Sequence, residues 1–141
     1  MRRPEDVRKE IVRQWLAKAE LDIKAADTLL SADNPLLYPS CFHSQQAAEK
    51  YIKAFLTWHQ VEFPKTHVFG ELLDLVGRVD KALAASLSGV TALNPYGVEV
   101  RYPGNTPEPT RGQTEDALRL ARAVRDAILG VLPPLGDQKC S

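Results

Sequence analysis

The 141-residue chain carries 18 lysines and arginines against 18 aspartates and glutamates, and 44% of it is hydrophobic and 26% charged. These are the proportions of an ordinary globular domain, long enough to bury about two thirds of its unfolded surface and to fold without disulfides or a metal. A formal net charge of zero excludes a global field that draws in nucleic acid or anionic membrane from a distance, so any such binding must come from a local patch.

No run approaches the roughly 18 apolar residues of a membrane helix, and the charged residues 1–6 lack the apolar segment of a signal peptide. Cys41 and Cys140 lie far apart and read as free thiols of a cytoplasmic protein.

Over 4–30 the apolar residues Val7, Ile11, Trp15, Ala19, Ile23, Ala26 and Leu30 recur at steps of three or four, which predicts an amphipathic helix with Arg8, Lys18, Asp22 and Lys24 on its polar side. Pro4 suits its first turn, and Glu5 and Asp6 complement its positive end. A connection over 31–39 leads to a second helix over about 40–60, on which Phe42, Gln45, Ala48, Ile52, Phe55 and His59 track one side. A third helix is expected over 68–83, from Phe69, Leu72, Leu73, Val76, Val79 and Leu83.

Leu87, Val90 and Leu93 support one or two helical turns within 84–97, where Gly89 and Asn94-Pro95 interrupt. Three prolines and a glycine make 101–109 an irregular loop. Thr110 and Gln113 then form a capping-box pair ahead of the last helix, marked by Ala117, Leu120, Ala121, Val124 and Ile128 and stopped by Pro133-Pro134. The expected fold is all-α: one domain over 1–141, an up-and-down bundle of four long helices plus one short helix, with a tail that frays from about 133.

Residues 41–56, CFHSQQAAEKYIKAFL, resemble the second-helix signature of HEPN domains. Three further pieces fall in that family's order: Trp15 with Ala19-Glu20-Leu21-Asp22, then Phe63-Pro64-Lys65-Thr66-His67, then Arg101-Tyr102-Pro103. The resemblance implies a cytoplasmic helical bundle that commonly forms a homodimer, is often encoded beside a minimal nucleotidyltransferase in toxin–antitoxin-like pairs, and binds nucleotides or RNA. Many relatives are metal-independent ribonucleases that use an arginine a few residues ahead of a histidine. Here the windows before His43, His59 and His67 hold no arginine, and no histidine follows Arg101.

Candidate ligand-binding residues come from three places. His43, Gln46, Glu49, Lys50 and Lys53 occur at steps of one, three and four on the second helix and can line one polar strip that meets phosphates and base edges. The plainer alternative is a solvated face with a Glu49–Lys53 pair worth about 0.2–0.5 kcal/mol. His67 stands at a helix entry, where it caps the helix or approaches an anion. Arg101 can clasp a phosphate and Tyr102 can stack on a base, or both can anchor the loop.

Arg119, Arg122 and Arg125 read as a solvated stripe among Glu115, Asp116 and Asp126, and Trp15 and Trp58 as core or interface anchors. Three scattered histidines and two distant cysteines make no zinc pattern, so neither metal nor cofactor is expected. Three functions remain open: a binding module engaging a nucleotide, RNA or a nucleotidyltransferase partner; a ribonuclease using His43 or His67 with Arg101; and a dimeric scaffold. No membrane or DNA partner is expected.

Overall fold

The computed structural model describes residues 3–98 and 107–135, and among them every regular element is helical. Helix α1 (Pro4–Ser31) opens with Pro4 in its first turn and Glu5 and Asp6 beside the positive end of its dipole. Helix α2 (Leu37–Trp58) begins earlier than the expected 40, because Pro39 falls in its first turn, where a missing N–H costs nothing. It ends in a Schellman turn: Gln60 adopts φ 59°, the Gln60 N–H donates to the Thr57 carbonyl (3.0 Å) and the Val61 N–H to the Leu56 carbonyl (2.9 Å).

The helix expected over 68–83 is two helices. Helix α3 (Phe69–Val79) stops at Asp80, whose extended backbone breaks the turn and whose carboxylate accepts from the Leu83 N–H (3.0 Å), capping α4 (Lys81–Ser86). A 3-10 segment (Ser88–Tyr96) follows, with Pro95 inside it. Its Asn94 Oδ1 accepts from the Phe69 N–H (2.9 Å) and so caps α3 from across the fold. Helix α5 (Arg111–Val131) starts at the predicted capping box, with both the Thr110 and the Gln113 bonds made. Among the described residues the bundle therefore has three long helices, of 28, 22 and 21 residues, not four, with the shorter pieces closing one side.

Helix α2 is the central element. Fourteen of its residues are buried, and α1 and α5 flank it while α3 and the 3-10 segment cover its remaining side. Ala47, Ala48 and Ala54 are fully enclosed and let the neighbours approach closely, while Tyr51, Ile52, Phe55 and Leu56 fill the centre with Phe69, Leu72, Leu93 and Ile128.

Helix α1 departs from its expected face. Its buried set includes Val12, Ala19, Ile23, Ala26 and Leu30, whereas Val7 and Ile11 are 41% and 42% exposed and the polar Asp22 is inside. The reason is geometric: residues spaced strictly four apart turn about 40° per step, so the row from Val7 to Ile23 winds roughly 160° around the helix. Its start and its end cannot share a face. A small second core of Val12, Ala54 and Leu135 lies beside Trp15 and Trp58, and Arg13 donates to the Leu135 carbonyl (3.1 and 2.6 Å). The chain is thus still held two residues beyond the point where fraying is expected to begin. Among the described residues no helix is long and apolar enough to cross a membrane.

Two substitutions probe these local features. Thr110→Ala should lower stability by about 1 kcal/mol by removing the α5 cap. Gln60→Gly should raise it by about 0.5–1 kcal/mol, because glycine relieves the left-handed backbone. Urea denaturation at constant m-value measures both.

Candidate functional site

Glu49 sits at the middle of α2 with only 4% of its surface exposed. A carboxylate so enclosed persists as an ion only when partners replace the water it has lost. Its Oε1 accepts from Gln45 Nε2 (3.0 Å) and from His67 Nδ1 (2.8 Å), and its Oε2 accepts from Lys53 Nζ (2.7 Å). Burial alone pushes the carboxyl up, but the bonds from Lys53, His67 and Gln45 outweigh it and hold Glu49 below the usual carboxylate range. Gln45 is oriented in turn by Gln46, whose amide donates to its Oε1 (2.7 Å).

Lys53 is 7% exposed, and its ammonium lies 5.9 Å from the Trp15 ring centre and 5.5 Å from that of Phe63. The two rings meet edge to face at 6.2 Å and shelter the ion pair. Glu49 and Lys53 are therefore interior groups, which overturns the solvated-face alternative for this pair.

His67 is the open side of the cluster, with its side chain 63% exposed. The turn that carries it is fixed by the Val68 N–H donating to Thr66 Oγ1 (3.0 Å). Gly97 passes close by: a Cβ built there would stand 3.4 Å from both Gln45 Nε2 and His67 Cβ, at the edge of ordinary van der Waals contact. The next residue, Val98, is held by Tyr38, whose hydroxyl donates to its carbonyl (2.5 Å). Arg101 and Tyr102, three and four positions further on, lie outside the described residues.

The remaining strip residues belong to a second cluster. Asp22 of α1, 8% exposed, accepts from His43 Nδ1 on one oxygen (2.8 Å) and from Lys50 Nζ on the other (2.5 Å). His43 and Lys50 are seven residues apart and share a face of α2, while Lys50 stands about 100° round the helix from Glu49. The strip expected as one surface is thus two clusters, Asp22–His43–Lys50 and Gln46–Gln45–Glu49–Lys53–His67, each centred on a buried carboxylate. Asp22 and Gln45 are its unforeseen members. Asp22 was legible from its phase, since it falls in step with Ala19 and Ala26, which are buried.

The two clusters share a chemical logic. An ionised carboxylate can only accept, so the Nδ1 facing it must carry the proton, which leaves each Nε2 an acceptor of a hydrogen bond or of a proton, and a donor once it is protonated. Both imidazoles are oriented from behind, as a general acid–base group or a phosphate-binding donor must be. The lysines, by contrast, are committed to Asp22 and Glu49.

Other polar features belong to neither cluster. Arg119 pairs with Asp116, Arg122 with Asp27 (3.4 Å) and Arg125 with Asp126 (3.1 Å), which makes the stripe a solvated face. Trp58 lies beneath the Arg8 guanidinium, 4.4 Å from its ring centre. Burial pushes the Cys41 thiol up, so it is a poor nucleophile.

A depressed carboxyl has a definite pH signature. Glu49 contributes stability that is fully present above its ordinary value of 4.5 and is lost as pH falls through its lowered folded value. Glu49→Gln should remove that acid-side component from the stability–pH profile. It should also cost about 3 kcal/mol at neutral pH by leaving Lys53 buried without its counter-charge, as urea titrations across the pH range will measure.

A family model described as HEPN domain matches residues 12–131, a span that holds both clusters. No curated protein and no solved structure matches the chain.

Proposed function

Because the chain belongs to the HEPN domain family, we propose that it is a binding module for a nucleotide or RNA. The observation that carries this reading is the pair of imidazoles, His43 and His67, each fixed through Nδ1 by a buried carboxylate at 2.8 Å and each with its other nitrogen unpartnered among the described residues. A base edge meets a hydrogen-bonding nitrogen already oriented, and a phosphate meets one once Nε2 takes up a proton, so little ordering entropy is lost on binding. His67 serves beside Gln46, while Arg101 supplies the bidentate phosphate contact and Tyr102 the stacking surface. His43 forms the second contact region, with Lys50 neutralising Asp22 behind it. Glu49 and Lys53 act from behind by holding His67. The reading includes a homodimer and a minimal nucleotidyltransferase as protein partner.

A second reading has one specific observation in its favour. The Glu49–His67 and Asp22–His43 pairs have the orientation of the carboxylate–histidine arrangements that move protons, so His67 or His43 could serve as general base, with Arg101 stabilising the charge that develops on phosphorus in RNA cleavage. The missing arginine–histidine spacing counts against it.

Titration of the purified protein with ATP, GTP and short single-stranded RNA at two salt concentrations, with RNA integrity read in the same samples, separates the two. Binding should be saturable and salt-sensitive and should leave the RNA intact. His67→Ala and Arg101→Ala should each weaken it about tenfold or more, since a charge-assisted contact is worth roughly 1.5–3 kcal/mol. Cleavage that His67→Ala or His43→Ala abolishes would establish the ribonuclease instead, and no binding to any of the three ligands would overturn both readings.

A further inference from the structure

Near the start of α1, the Arg8 guanidinium is held over the Trp58 ring at the end of α2, 4.4 Å from the ring centre. Stacking covers one face of a guanidinium and leaves the N–H donors, which lie in its plane, unblocked by the ring. Among the described residues Arg8 forms no hydrogen bond and no ion pair: its Nε is enclosed without an acceptor, its terminal nitrogens reach solvent, and the neighbouring Glu5 is taken by Lys9 (3.6 Å). A charged donor set fixed in place, partly shut off from water and left unmatched, is a state that an anionic ligand relieves.

Arg8 lines a cleft of about 410 Å³, a volume within the range of small-molecule sites. Pro4, Val7, Arg8 and Ile11 follow one another at steps of three, one and three, so they form one wall along the first turns of α1. Thr57 and Gln60 form the other, at the last turn of α2 and the left-handed turn that ends it. This is a largely apolar cleft with one unmatched cation. Glu5 stands on the α1 wall, where a second negative charge on a ligand would meet a like charge. The lining therefore selects a monoanion on an apolar body over a phosphate dianion: Arg8 takes the carboxylate as a bidentate fork, and Pro4, Val7 and Ile11 take the body. His59, beside Gln60, senses the same place. Partial burial and the Arg8 charge hold its imidazole below the ordinary 6.5, against the pull of Asp80, while its ring packs 4.5 Å from that of Phe55.

We infer that the cleft between the start of α1 and the end of α2 is a second binding site, which takes a small organic carboxylate through the Trp58-stacked guanidinium of Arg8. None of its residues belongs to either histidine cluster, so it stands or falls apart from the nucleotide or RNA reading. A ligand of about ten heavy atoms in an open cleft binds in the millimolar to high micromolar range.

Nuclear magnetic resonance titrations of the isotope-labelled full chain with benzoate, and separately with inorganic phosphate, test it. Benzoate should shift the Arg8 side-chain, Trp58 indole and Gln60 backbone signals along one saturable curve, and should raise the His59 pKa by cancelling the charge that depresses it. Arg8→Gln should weaken benzoate binding about tenfold or more, and Arg8→Lys nearly as much, because lysine keeps the charge and loses the planar fork. Val7→Glu, at an exposed position that folding does not depend on, sets a second carboxylate in the cleft and should abolish the shifts even if the Arg8 variants fail to fold. Shifts that are absent up to about 50 mM benzoate, or that survive Arg8→Gln or Val7→Glu, overturn the site. Phosphate that moves the same signals at equal or lower concentration overturns its assignment to a carboxylate.

Discussion

A carboxylate buried at the centre of the molecule constrains much of what surrounds it. Glu49 cannot remain ionised inside α2 unless Lys53, Gln45 and His67 replace its water, and each of those partners fixes something else. Lys53 is capped by Trp15 of α1 and by Phe63, so the ion pair ties α1 to the turn after α2. His67 pins the approach to α3, whose first N–H is capped by Asn94 of the 3-10 segment. Gly97 then closes against the same glutamine and histidine. A single charge thereby sets the relative positions of α1, α2, α3 and the start of the segment that leads to Arg101.

Asp22 repeats the arrangement where α1 meets α2, with His43 and Lys50 in place of His67 and Lys53. In both clusters lysine cancels the carboxylate and histidine carries the surface. This division explains how the two clusters present polar chemistry at the surface: Lys50 and Lys53 balance the buried carboxylates, and what reaches solvent is an oriented imidazole edge. A contact to phosphate at such an edge depends on geometry more than on field, and the full positive charge has to come from elsewhere, which gives Arg101 its place in the proposed function.

Helix α1 is used on both sides. Its inner face supplies Ala19, Ile23, Ala26 and Leu30 to the core, while its outer face keeps Val7, Ile11 and Leu21 in solvent. An apolar row spaced by fours cannot serve one side of a helix for more than about two turns, because each step adds some 40°. The winding that moves Val7 and Ile11 out of the core is also what brings them into line with Leu21.

The local code of the chain was sufficient for the helices, for the Thr110–Gln113 capping box and for the family, because periodicity, caps and a dense motif act over a few residues and need no knowledge of neighbours. It also singled out His43, Gln46, Glu49, Lys50 and Lys53 as one polar strip on the second helix, and His67 at a helix entry. Tertiary structure alone decided that Glu49 and Lys53 are interior, that the set splits between two carboxylates, and that Asp80 makes two helices from one apolar run. The reason is common to all three: burial and pairing are properties of what packs opposite a residue. Trp15, Phe63 and Asn94 reach these sites from sequence positions that no local pattern connects.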